Sequence, residues 1–132
     1  MKKTRSVKME CADYKYAWCA GFFDGEGTTT TTQARRDKYN FIKMTITQKD
    51  KEVLEKFERI VGKGKIYFCK SKNVYSWNCY KKENVLEVIK LLWQYLGTQK
   101  QEQILKAIDK YNEYRREEDQ IILDLDTSLW VG

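Results

Sequence analysis

A chain of 132 residues and 15.8 kDa, with 42% apolar and 14% aromatic residues, can build one packed domain and is too aromatic for a disordered segment. Its 25 basic against 19 acidic side chains leave +6, a balance that suits an anionic partner. The absence of histidine excludes Ser-His-Asp and Cys-His nucleophiles, histidine-ligated zinc and histidine-metal nucleases; the absence of proline excludes Pro-rich linkers.

Residues 1–12 are basic and unpatterned, and read as a flexible lead-in to a single domain over 13–118, with a tail over 119–132. Asp13 is placed to cap a helix running to Phe23. The segment Tyr16–Phe23 is apolar on every face, so it needs burial all round, part of it against a second copy of itself. Thr28–Thr32 opens an extended segment to Arg36, because consecutive β-branched residues favour strand. Asp37–Asn40 can turn the chain. The return, Phe41–Gln48, alternates: Ile42, Met44 and Ile46 on one side, Lys43, Thr45 and Thr47 on the other.

Asp50 then caps a helix with Val53, Leu54, Phe57, Ile60 and Val61 at helical spacing, closed by Gly62. The pattern repeats. Lys63–Lys70 and Val74–Tyr80 read as a second hairpin, with Ile66 and Phe68 opposite Lys65, Tyr67 and Cys69. A third helix is expected over 83–96, ended by Gly97, and a fourth over 99–116 with Ile104, Leu105, Ile108 and Tyr111 inward. Ile121–Gly132 carries alternating apolar residues without an assignable role. The order is α-ββ-α-ββ-α-α.

Charge is concentrated in the hairpins. Residues 28–48 carry four basic and one acidic side chain, and residues 63–82 carry six basic and none acidic. A basic sheet with Thr, Ser, Asn and Gln outward suits a nucleic-acid groove, where Lys and Arg meet phosphates and the neutral polar groups read bases. An antiparallel sheet with one wet face produces the same alternation, and the lack of acid in 63–82 favours the groove. The four cysteines form no CxxC pair, which argues against zinc, and Cys19 sits in an apolar run where it packs as a small hydrophobe. No signal peptide and no apolar stretch of membrane-spanning length is recognisable, so an intracellular, reduced protein with no membrane partner is expected.

The run Cys19-Ala-Gly-Phe-Phe-Asp-Gly-Glu-Gly27 resembles the nonapeptide of the LAGLIDADG homing endonucleases in its LAGFxDGEG form, matching at Ala20, Gly21, Asp24, Gly25, Glu26 and Gly27. The repeated αββ order, Ile46-Thr-Gln-Lys49, Gly62-Lys-Gly64 and Tyr95-Leu96…Lys100…Gln103 extend the resemblance over residues 13–112. It implies an α+β fold of αββαββα order with an antiparallel DNA-binding sheet. It also implies a site-specific DNA endonuclease with a cofactor Mg²⁺ or Mn²⁺, and a single motif implies a homodimer cutting a long, roughly palindromic duplex.

By that resemblance Glu26 and the Gly25 carbonyl hold the metal, Gln48 orders water, and Trp18, Gly21, Phe22 and Gly25 form the dimer contact. Thr30, Thr32, Arg36, Lys43, Thr45, Lys65, Tyr67, Ser76 and Asn78 contact DNA. Physics agrees with parts of this. Gly21 and Gly25 share a helix face on which two backbones can approach. Glu26 stands just past a helix C-terminus, where free carbonyls and the dipole attract cations. Asp24 reads as structural. One departure stands out: the family's basic residue three after the Leu of its Tyr-Leu pair falls on Gln99, one residue before Lys100, and a helix turns about 100° per residue. Either Lys100 serves after an adjustment at Gly97, or the basic group is missing. The alternative function is then a catalytically silent relative, a DNA-binding regulator or an RNA-splicing maturase.

Overall fold

Local signals set both ends of one helix, Lys51–Val61. A computed structural model describes residues 2–33, 40–113 and 115–123. Its order is α1 (Lys2–Glu26), β1 (Gly27–Gln33), β2 (Asn40–Gln48), α2 (Lys51–Val61), β3 (Lys65–Cys69), β4 (Val74–Cys79), α3 (Lys82–Leu92), a 3₁₀ turn (Trp93–Tyr95), α4 (Thr98–Asn112) and a second 3₁₀ turn (Glu117–Asp119). Asp50 caps α2 by accepting from the Glu52 N–H at 3.0 Å, and Gly62 ends it at φ 70°, the left-handed conformation that favours glycine. The four strands form one antiparallel sheet in the order β1-β2-β4-β3. The fold is therefore α+β, as expected.

The helices cover one face of the sheet. Ile42, Met44 and Ile46 of β2 and Trp77 of β4 are fully buried there. Aromatic rings link the layers: Phe57 of α2 meets Trp77 edge-on at 4.8 Å and stacks on Phe23 of α1 at 6.5 Å. The Trp77 indole N–H donates to the Lys63 carbonyl at 2.8 Å, which satisfies its polar atom inside the core. Gly64, at φ 85°, lies against that indole, and a Cβ there would strike both the ring and the Asn78 carbonyl. Gly27 faces the Phe23 ring just as closely. Both glycines let aromatic rings approach the backbone.

Several expectations change. α1 begins at Lys2, so residues 2–12 continue the helix instead of leading into it, and position 13 lies inside it rather than at its N-terminus. The segment 2–12 holds no Gly or Pro to stop propagation from the packed part, and extending a formed helix costs little. Within one chain Tyr16–Phe23 is covered on one side, at Cys19, Ala20 and Phe23, while Ala17 and Gly21 are exposed. The third helix ends at Leu92, and Gly97 is the N-cap of α4. Leu105 is exposed because Ile104, Ala107, Ile108 and Tyr111 already fill the inner stripe.

The tail starts with a role. Ile121 is buried, and its N–H and C=O pair with the Asn112 side chain at 2.7 and 2.9 Å, so the core extends past residue 118. Among the described residues no helix is long and apolar enough to cross a membrane.

Candidate functional site

Pairing decides what the threonine run of β1 leaves ambiguous. Thr30 lies opposite Lys43 and Thr28 opposite Thr45; Thr45 lies opposite Asn78, which lies opposite Lys65; Ser76 lies opposite Tyr67. Directly opposed residues share a face. Thr30, Thr32, Lys43, Thr45, Lys65, Tyr67, Ser76 and Asn78 therefore all lie on the face away from the helices, together with Thr28 and Thr47. Arg36 lies outside the described residues.

The centre of this face is a small polar network. The Thr45 hydroxyl donates to the Asn78 side-chain carbonyl at 2.9 Å and lies 3.2 Å from the Ser76 hydroxyl, while the Asn78 amide donates to that hydroxyl at 3.1 Å. Neutral donors and acceptors in fixed positions can read the edges of bases. At its rim the Lys43 ammonium stands over the Tyr80 ring at 5.9 Å, a contact that sequence reasoning misses because Tyr80 ends the strand pattern.

A second centre forms where α1 meets β1. Glu26 is the last helical residue and is exposed; it is not past the helix end as expected. α4 closes around this junction at three points. Both Asp24 carboxylate oxygens accept from the Gly97 N–H at 3.0 Å, so Asp24 is structural, and it ties the start of α4 to the end of α1. The Lys100 ammonium donates to the Gly27 carbonyl at 2.6 Å, and the Thr29 N–H donates to the Gln103 side-chain carbonyl at 3.0 Å. β1 is an edge strand, and Lys100 and Gln103, one turn apart on α4, satisfy two of its open backbone groups.

Lys100, not Gln99, is the side chain delivered to the Glu26–Gly27 junction. Gln99 is exposed in a cleft of about 600 Å³ that it shares with Thr30 and Lys106. Gln48 is half-buried at the end of β2, two residues beyond the Gly27–Ile46 pair and so beside the same junction. The Gln103 and Asp24 contacts are not legible in the sequence as contacts; the signal present is the Lys100-to-Gln103 spacing of one helical turn.

The donor set here is all oxygen: the Glu26 carboxylate and the last carbonyls of α1, which lack intrahelical partners. That chemistry fits a hard divalent cation. Among the described residues no three Asp, Glu or Cys side chains gather to hold a metal; the Asp24 carboxylate near this junction is engaged by the Gly97 N–H, and Glu26 is exposed.

Two expected contact residues of α1 are engaged within the chain. Trp18 stacks on Phe22 at 5.4 Å, Phe22 packs against Phe57 at 5.9 Å, and the Lys56 ammonium caps Trp18 at 4.1 Å. Residues 18 and 22 sit one turn apart on the side of α1 that α2 occupies, and both stay half-buried. Gly21 and Gly25 differ. Both are exposed, and a side chain at either would meet nothing within 4 Å.

The cysteines separate by environment. Burial pushes the Cys19 thiol up to about 12 and the Cys79 thiol up to about 11, partly offset by Lys56 and Lys63. At the β3 end a hydrogen bond from Ser71, aided by the Lys72 backbone, holds Cys69 below the ordinary value. A depressed pKa means more thiolate at any pH below it. Near pH 7.5, limited maleimide labelling followed by peptide mapping is expected to modify Cys69 well before Cys19 or Cys79, and the Cys69 rate should level off at lower pH than that of a free thiol. Equal labelling of the three would contradict this assignment.

Comparison with known proteins agrees with this geometry. A family model described as LAGLIDADG endonuclease matches residues 19–111. An intron-encoded DNA endonuclease, ai2b, of Dictyostelium discoideum is 29% identical over 101 residues, covering 74% of this chain; the chain spans only 38% of that relative's length. Among solved structures, the archaeal intron-encoded homing endonuclease I-Vdi141I complexed with DNA superposes with a TM-score of 0.58 at 18% identity, over 89% of this chain and 92% of that one. The homing endonuclease I-CvuI in complex with DNA gives 0.62 at 18%, over 86% and 90%. The LAGLIDADG meganuclease I-AabMI bound to uncleaved DNA gives 0.62 at 24%, over 77% of this chain but 40% of that one. These structural likenesses share the fold.

Proposed function

The chain belongs to the LAGLIDADG endonuclease family, and from that membership we propose that it is a site-specific DNA endonuclease. Two copies pair through the exposed Gly21–Gly25 side of α1 and hydrolyse one phosphodiester in each strand of a long, roughly palindromic duplex. The observation that carries the reading is the Lys100 ammonium held beside Glu26 at the edge of a polar, basic sheet face. Among the described residues nothing requires glycine at 21 or 25, whereas a second α1 packed there would.

In this reading the sheet face binds the duplex: Lys43 and Lys65 meet phosphates, while Thr45, Ser76 and Asn78 read bases. Glu26 and the Gly25 carbonyl hold a divalent cation at the junction, shared with the second copy. A bound Mg²⁺ or Mn²⁺ supplies Lewis-acid charge at a phosphate oxygen and an activated water. Gln48 orients water beside it. Lys100, fixed by Gly27, adds positive charge where the transition state gains negative charge. The likeness to ai2b supports an intron-encoded origin.

One observation favours a second reading. The exposed Gln99 occupies the family's basic position, and Lys100 is bonded to backbone, an arrangement that would suit a protein that binds nucleic acid without cutting it. Incubation with a library of duplex sites and Mg²⁺ or Mn²⁺, followed by sequencing of the cut ends, separates the two. Cleavage at one related set of sites is expected; binding to DNA or RNA with no cleavage in either metal supports the silent relative.

A further inference from the structure

A cleft of about 500 Å³ opens at the β3 edge of the sheet, between the α2–β3 and β4–α3 turns. Lys63, Lys65 and Lys81 line it with Tyr67, Tyr80 and Asn84, and no carboxylate is among its lining. Lys65 and Lys81 are exposed, Tyr67 and Tyr80 are about half exposed, and Lys63 forms an ion pair with Glu87 of α3 at 3.1 Å. The cleft is continuous with the polar face, since Lys65 and Asn78 are opposed strand neighbours belonging to both. From β1 to β3 the sheet spans three strand spacings, about 14 Å, close to the ≈ 12 Å width of a DNA major groove. A sheet face seated in that groove brings its edges against the two phosphate backbones that wall it.

We propose that this cleft is a backbone clamp: Lys63 and Lys81 grip phosphates of one strand at the β3 edge, contributing affinity but no sequence preference, and Glu87 competes with the phosphate for Lys63. This rests on the DNA-binding reading above and adds residues outside the base-reading set. The clamp is charge-based, so its signature is the salt dependence of binding: removing one lysine–phosphate pair makes the slope of log K against log salt shallower by about 0.9.

The test is fluorescence anisotropy of full-length protein on a random-sequence 30-base-pair duplex across a salt series, with folding checked by circular dichroism. Lys81→Ala and Lys63→Ala each remove two lysine–phosphate pairs from a bound dimer, so each is expected to flatten the slope by about 1.8 and weaken binding alike on any sequence. Glu87→Gln is expected to tighten binding at low salt by up to about fivefold, the ceiling for an exposed pair. Lys90→Ala, on the exposed side of α3, serves as a control and should leave the slope unchanged. If the wild type binds with a steep salt slope but both lysine variants keep that slope, the clamp is wrong and the DNA-binding reading survives. If the wild type shows no salt-dependent binding, both fail. Equal flattening on double-stranded RNA would also overturn the clamp, because the major groove of that duplex is too narrow to admit a sheet.

Discussion

Glu26→Gln is expected to pair and to bind duplex DNA as the wild type does, while cleavage at saturating DNA falls by a factor on the order of 10³. The substitution preserves length and hydrogen bonding and removes only the charge that would hold a divalent cation. Glu26 is exposed and is the last residue of α1, so the change disturbs no packing. The thermal midpoint should therefore stay close to that of the wild type. Binding is compared in Ca²⁺ or without metal, where removal of a carboxylate beside a phosphate leaves affinity equal or higher. Nicking and double-strand cleavage are then followed in Mg²⁺ on one substrate. Cleavage within a few-fold of wild type would remove Glu26 from the chemistry.

Lys100→Met is expected to slow cleavage about 10²-fold at saturating DNA with little change in Kd, the pattern of an interaction made in the transition state. Methionine keeps the reach of the side chain and lacks the ammonium that meets the Gly27 carbonyl. Gly27 is buried, so leaving its carbonyl without a donor is expected to cost about 1–3 kcal/mol of stability, and a thermal melt checks that the variant is folded where rates are compared. Gln99→Met should be nearly silent, since Gln99 projects into the cleft alongside Lys106 and not toward the junction. A sensitive Gln99 with an indifferent Lys100 would return the catalytic position to the family register and leave this chain working without a lysine there.

Where local chemistry sets an element, the sequence is legible. Asp50 and Gly62 bracket α2 because a short carboxylate caps an N-terminus and glycine accepts a left-handed φ, whatever surrounds them. The alternation of Ile42, Met44 and Ile46 orients β2 because one face of an antiparallel sheet is buried. The motif at 19–27 carries the family because it is a contiguous string of unusual residues.

Other features depend on contacts between elements distant in the chain. Thr28–Thr32 presents the same side chain to both faces, so only its pairing with Lys43 and Thr45 shows which threonines look outward. An apolar helix face does not say which neighbour meets it, and only the structure shows that Trp18 and Phe22 touch α2, through Phe57 and Lys56. Counting along a helix does not choose between Gln99 and Lys100 while the start of that helix is unknown.

By itself, then, the sequence determined the α-ββ-α-ββ-α-α order, the caps of α2, the phase of β2 and the motif that ends in Glu26 and Gly27, since each is written in neighbouring residues. The tertiary structure decided the rest. Asp24 pins Gly97, and that anchor sets the rotation of α4, so Lys100 meets Gly27 and Gln103 meets Thr29. Helix rotation and strand pairing are relations between segments far apart in the chain, 73 or 74 residues in these three bonds, and no local pattern encodes a relation of that kind.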